Sequence, residues 1–207
     1  MFTDAFADET NFRVVFYGPA YVGKTATLRY IHQHAPPDRK SKLSTVTINI
    51  DDPSHPGETE TTVWFDMSLP EYGESNARKI RINLYALHGP VNYESSSRLL
   101  LKGVDAVVFL ADAQRARQDA NRWWAMTLRE HLAELGRELA GLPLCVGVTK
   151  TSFEGSDPAL RVGNALGLPA SPIFDIDPTT GRGIPEMLAA VVTALKDGVA
   201  EGGVAEI

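Results

Sequence analysis

The stretch FRVVFYGPAYVGKTATLRYI, residues 12–31, sets a run of β-branched and aromatic residues against a glycine-rich turn and then an apolar pattern at helical spacing. FRVVFYG reads as a buried strand, and Leu28, Ile31 and Tyr30 mark the inner face of a helix. Between them GPAYVGKT, residues 18–25, fits the phosphate-loop pattern G-x-x-x-x-G-K-[ST] at every fixed position. Such a loop holds phosphate through backbone N–H groups that converge at a helix N-terminus, so it needs a strand before it and a helix after it. Both flanks agree. Gly18 and Gly23 permit the turn and the close approach of backbone to phosphate, with Tyr21, Val22 and Ala26 among the residues around the nucleotide. Lys24 is expected to place its ammonium between the β- and γ-phosphates, and the Thr25 hydroxyl to hold Mg²⁺. Binding follows from this loop; turnover does not.

Working outward, strand-like and helix-like segments alternate. TTVWFDMSL (61–69) and KIRINLYAL (79–87) each alternate with period two around EYGESN, which suits a hairpin turn and suggests one antiparallel edge strand. DAVVFLAD (105–112), a long helical stretch over about 116–140, LPLCVGVTK (142–150), a short helix near 158–166, SPIFDID and the amphipathic GIPEMLAAVVTALKDG complete the alternation. Uniformly apolar strands between helices predict an α/β fold with a mostly parallel sheet covered by helices on both faces. NIDDPSHPGETE (49–60) resists regular structure and reads as a long surface loop. The expected division is an N-terminal tail (1–11), one nucleotide-binding domain (12–197) and a C-terminal tail (198–207).

A length of 207 residues accommodates one domain with a sizeable core. The formal charge of −6 argues against a general nucleic-acid binder, and DRKSK (38–42) reads as a solvated loop or a local basic patch. Cys145 is the single cysteine, so no internal disulfide forms; a reducing, cytoplasmic location is expected, with the thiol buried as a small apolar group. No run approaches the ~20 apolar residues of a membrane span. Phe2 stands where myristoylation needs glycine, and GGVAEI has no prenylation cysteine, so no direct membrane anchor is expected. The five histidines show no metal-ligand spacing. Of Trp123 and Trp124, adjacent on a helix, one is expected in the core and the other partly exposed. Arg115, Arg117 and Arg122 read as a solvated face.

Beyond the loop, ETETTVWFDMSLP and LYALHGPVNYESSSRLLLKGVDAVVFLADAQ carry a more specific likeness. The chain resembles the small Ras-like GTPases of bacteria, most closely the MglA family of gliding-motility and polarity switches, from about residue 12 to 195. The resemblance implies a Ras-like phosphate-loop G domain with a six-stranded, mostly parallel sheet and five helices, binding GTP or GDP with Mg²⁺. It also implies partners: a homodimeric roadblock/longin-type protein (MglB-like) that accelerates hydrolysis, and other polarity or motility proteins.

Several positions depart from the family pattern. Ras-like proteins carry D-x-x-G before the second switch and MglA has TVPGQ; here the segment is Ala86-Leu87-His88-Gly89-Pro90. Ala86 has no oxygen for a metal-bound water, and Pro90 replaces the glutamine that orients the attacking water. Gly89 retains an N–H for the γ-phosphate, and His88 is the one substitute candidate for positioning water. In the first switch MglA has T-E-R-T, and the matching residues are Thr59, Glu60, Thr61 and Thr62. Thr62 is the expected second Mg²⁺ ligand, while Thr61 stands where the resemblance implies an arginine finger, whose loss costs ~10³-fold or more in rate. Ala20 takes a position usually glycine. The N-K-x-D motif becomes Thr149-Lys150-Thr151-Ser152: Lys150 still offers its stem to the base, but Ser152 replaces the carboxylate that identifies guanine. Thr179 is the expected contact to the guanine carbonyl oxygen. Phosphate-holding residues are thus kept and hydrolytic ones changed. The expectation is a nucleotide-binding regulator with little intrinsic hydrolysis; the alternatives are a GTPase completed by its partner and a nucleotide-free scaffold.

Overall fold

A computed structural model describes residues 9–49, 59–69, 79–88, 94–153, 158–169 and 171–201. Seven strands form one sheet: β1 (Glu9–Tyr17), β2 (Ser44–Asn49), β3 (Thr59–Ser68), β4 (Lys79–His88), β5 (Ala106–Asp112), β6 (Leu144–Thr149) and β7 (Ile173–Asp175). Their order is β2-β3-β4-β1-β5-β6-β7. β1 lies parallel to both β4 and β5, and β6 and β7 continue the parallel series. β3 alone runs against its neighbours, pairing antiparallel with β2 and with β4.

Two expectations are corrected here. The sheet has seven strands rather than six, and the antiparallel strand is not at the edge. The added strand is STVTIN, whose alternating β-branched residues suit a pleated surface. It pairs Ser44 with Trp64 through to Asn49 with Thr59, so the loop expected over 49–60 begins and ends inside strands. The remainder of that loop, 50–58, and the EYGESN turn lie outside the described residues.

Period-two alternation in a strand covered on both faces feeds two cores. In β1, Val14 and Phe16 join the core beneath α1 (Lys24–His34) and α5 (Ile184–Glu201), with Leu28, Ile31, Met187 and Val191. Val15 and Tyr17 face the other core, with Trp124, Leu128 and Leu132 of α3 (Gln118–Glu134) and Val162 of α4 (Pro158–Ala165). Leu101, at the end of α2 (Glu94–Leu101), joins the same side. β5, at the centre, is buried at every position.

The helix expected over 116–140 is shorter. A single 3₁₀ turn at Arg115–Arg117 leads into α3, which ends before Gly136. Gly136 has φ 70, its N–H bonds the Ala133 carbonyl (2.9 Å) and the Arg137 N–H bonds the Leu132 carbonyl (2.9 Å). That pair of bonds is a Schellman stop, and the left-handed position it needs is one that glycine fills without steric cost.

Candidate functional site

β1 delivers the chain to the phosphate loop at its C-terminal end. Gly18 has φ 124, and a Cβ there would stand 2.2 Å from the Leu110 carbonyl oxygen of β5, so only glycine fits the turn. Tyr21 (φ 62) and Gly23 (φ 101) also take positive φ, bending the backbone around the start of α1. Gly23 is the N-cap; no side chain caps the helix and its first turn has no acidic residue. The first-turn N–H groups therefore keep their affinity for an anion. Val22 is buried, Ala26 is exposed and Thr25 half-buried in the first helical turn. Tyr21 is 74% exposed on the rim, a bulky residue held in a region that normally favours glycine.

The Lys24 ammonium is turned back into the loop. It donates to the Gly18 and Pro19 carbonyls, each at 2.7 Å, and lies 5.8 Å from the centre of the Trp124 ring. Burial, with the Arg117 cation second, pulls its pKa down to about 7. Arg117 is not part of a solvated face: it is half-buried, and its Nη2 donates to the Ala20 carbonyl at 2.8 Å. Arg122 does form an exposed pair with Asp119 (3.1 Å). Trp124 is buried and Trp123 is 36% exposed, as the helical spacing predicts.

The base-side turn meets the loop from β6. Thr149 donates to the Val22 carbonyl (3.0 Å), tying this turn to the phosphate loop. Lys150 adopts φ 60 and its ammonium meets the buried Asp112 carboxylate at 2.5 Å. Thr151 donates to Asp175 (2.6 Å), which also pairs with Arg182 (2.9 Å), while Ser152 is exposed. Thr179 directs both its N–H (2.8 Å) and its hydroxyl (2.7 Å) at Asp177, and these bonds hold that carboxyl below its ordinary value. The Thr179 N–H is thus engaged within its own turn.

The switch positions divide differently. Ala86 is fully buried in the core under α1 and α5, paired in register with Phe16 and Val63. Thr61, where the resemblance implies arginine, shares a hydrogen bond with Thr47 of β2 (3.0 Å), so its hydroxyl ties the two strands together. Thr62, on β3, pairs with Leu87 of β4; β3 is two strands from β1 in the sheet order, and so ~10 Å to the side at ordinary strand spacing. The His88 side chain, Gly89 and Pro90 lie outside the described residues. Among the described residues no cluster of three or more His, Cys, Asp or Glu side chains forms a cation cage. Thr25, the expected metal-holding residue, lies in the first turn of α1.

Sequence reasoning missed Asp112, Arg117 and Trp124 as site residues. The available signal was Asp112 itself, an acid closing the apolar run AVVFLA. Cys145 is buried, and burial raises its thiol to about 12, which leaves it inert.

No family model matches the chain. It is 33% identical over 195 residues, 94% of its length and 95% of the relative's, to the Mutual gliding-motility protein MglA of Myxococcus xanthus (strain DK1622). It is also 35% identical over 99 residues to the GTPase Der of Halorhodospira halophila (strain DSM 244 / SL1), covering 48% of this chain but 19% of Der.

Proposed function

Since the chain belongs to the MglA family of Ras-like small GTPases, we propose that it is a guanine-nucleotide-binding regulator that hydrolyses GTP slowly or not at all by itself. It acts by protein–protein interaction in cell polarity or motility, with a roadblock-type homodimer as the expected partner. The observation that carries the binding half is the uncapped start of α1 behind a positive-φ loop, with Lys24 already turned into that loop. Lys24, Thr25 and the N–H groups of residues 21–26 hold the phosphates. Mg²⁺, when bound, neutralises phosphate charge, with Thr25 as its protein ligand and Thr62 a ligand that the switch must bring in. Lys150 lays its stem along the base, beside Thr149, Ser152 and Thr179. No helix among the described residues is long and apolar enough to cross a membrane.

Three features support weak intrinsic turnover. Thr61 is occupied with Thr47 and supplies no cation, Ala86 has no oxygen and faces the core, and Pro90 stands where glutamine is needed. The loss of the arginine and glutamine functions alone removes several orders of magnitude in rate.

The test is to denature the purified protein and identify the released nucleotide by chromatography. Released GTP is the expected result; GDP means that slow hydrolysis is retained. If the protein neither carries nucleotide nor binds it at millimolar Mg-GTP, the proposal fails. Lys24→Ala is expected to weaken binding by ~100-fold or more through loss of charge-assisted bonds to phosphate. Phosphate release on mixing with a roadblock-type protein would identify a partner-completed GTPase.

A further inference from the structure

Asp112 ends β5 with its carboxylate fully buried and its backbone clamped. Asn121 accepts from the Asp112 N–H (3.0 Å) and donates to its carbonyl (2.8 Å), and Gln118 donates to the same carbonyl (3.1 Å). One carboxylate oxygen, Oδ1, accepts the Gln114 N–H at 2.9 Å. The other, Oδ2, meets two cations from two different parts of the site. Lys150 Nζ arrives at 2.5 Å from the base-side turn, and Arg117 Nε stands at 4.0 Å. Arg117 at the same time donates through Nη2 to the Ala20 carbonyl of the phosphate loop, at 2.8 Å. An unbroken series of charge-assisted contacts therefore runs from Lys150 through Asp112 and Arg117 to Ala20. Lys150 enters it from φ 60, a conformation that a non-glycine residue holds only when its surroundings compensate.

We propose that Asp112 is a positioning residue that couples the base pocket to the phosphate loop by sharing one buried charge between Lys150 and Arg117. The inference rests on the nucleotide-binding reading above. A buried carboxylate needs its cations, because desolvation penalises the charge wherever a partner is withdrawn. When Lys150 is drawn towards a base, or removed, Asp112 takes a larger share of Arg117. The hold of Arg117 on the Ala20 carbonyl then slackens, and the loop changes shape without touching the base. By reciprocity, a phosphate that repositions the loop alters how firmly Lys150 is held. Arg117 and Lys150 converge on the same oxygen, Asp112 Oδ2, so withdrawing one changes how strongly the carboxylate holds the other.

A double-substitution cycle on Mg-GDP affinity tests this, using Lys150→Met, Arg117→Gln and their combination. Expected is a departure from additivity of about tenfold, since Lys150→Met also costs the Arg117–Ala20 contact. With Asp112→Asn as background, the same two losses should become additive. In the ligand-free protein, Lys150→Met should shift the backbone amide resonances of Ala20 and Tyr21, which Lys150 does not touch. Additive losses in the unaltered background, or unmoved Ala20 and Tyr21 resonances, would overturn the proposal. If Asp112→Asn fails to fold, the cycle and the Lys150→Met spectrum still decide it. A chain that binds no GDP would sink the nucleotide reading, while the ligand-free spectrum would still judge the coupling.

Discussion

The Lys24 ammonium, held by two loop carbonyls and facing an indole, is disfavoured as a cation until a phosphate arrives. Its pKa of about 7 lies below the ordinary lysine value because of burial and the nearby Arg117 charge. In the ligand-free protein the penalty is present in full below pH 7. It is relieved as pH rises towards the unfolded value, so this residue makes stability increase with pH across that window. Nucleotide binding carries the opposite dependence, because phosphate selects the protonated form. Above about pH 7, Mg-GDP affinity should fall by up to tenfold per pH unit, with uptake approaching one proton per nucleotide bound at pH 8. Calorimetry in buffers of different ionisation enthalpy measures that uptake directly. Uptake near zero at pH 8 would show that Lys24 is already charged in the free protein.

α3 shows how an element is ended by one residue, and Gly136 offers a local test. Replacing it with alanine meets no atom within 4 Å but keeps the left-handed φ of 70. Gly136→Ala should therefore cost about 1 kcal/mol in urea unfolding, with nucleotide affinity unchanged. A neutral result would mean that the Schellman turn relaxes freely. The same helix marks the limits of reading from sequence. The phosphate loop and the alternation of elements were legible because they rest on local chemistry: glycines at forced turns and apolar runs at strand length. β2 was not, because STVTIN has no long apolar run and becomes a strand only when β3 is there to pair with it. Arg117 was misread for a related reason. Its sequence neighbours are polar and its partner, the Ala20 carbonyl, is 97 residues away. The loss of oxygen at residue 86 was legible, whereas its burial against the inner core required the sheet register.

The parallel strands carry the phosphate loop, Asp112 and the turn after Thr149 to one end of the sheet, where β1, β5 and β6 hand over to loops. This is where open α/β sheets bind ligands. The two cores on opposite faces hold the strands in register, while Thr61 and Thr62 lie on the side of the sheet that is built from antiparallel pairs. Residues tied to the central parallel strands are thus the ones proposed to hold phosphate and base. The first-switch residues belong to a separate flank, which meets the central strands through β4 and packs on α1 through the shared core.

Trp124 lies between the loop lysine and the exposed Trp123, its ring edge-on to that neighbour at 5.2 Å and 84°. The chain therefore carries its own fluorophore at the site. Trp64, stacked on Tyr85 at the distant flank, contributes only background emission. In a Trp64→Phe background, adding Mg-GDP should draw Lys24 off the indole and change the tryptophan spectrum, and Lys24→Ala should abolish that change. An unaltered spectrum at saturating nucleotide would show that the lysine stays where it is. Otherwise the site can be titrated by light alone, without a labelled nucleotide.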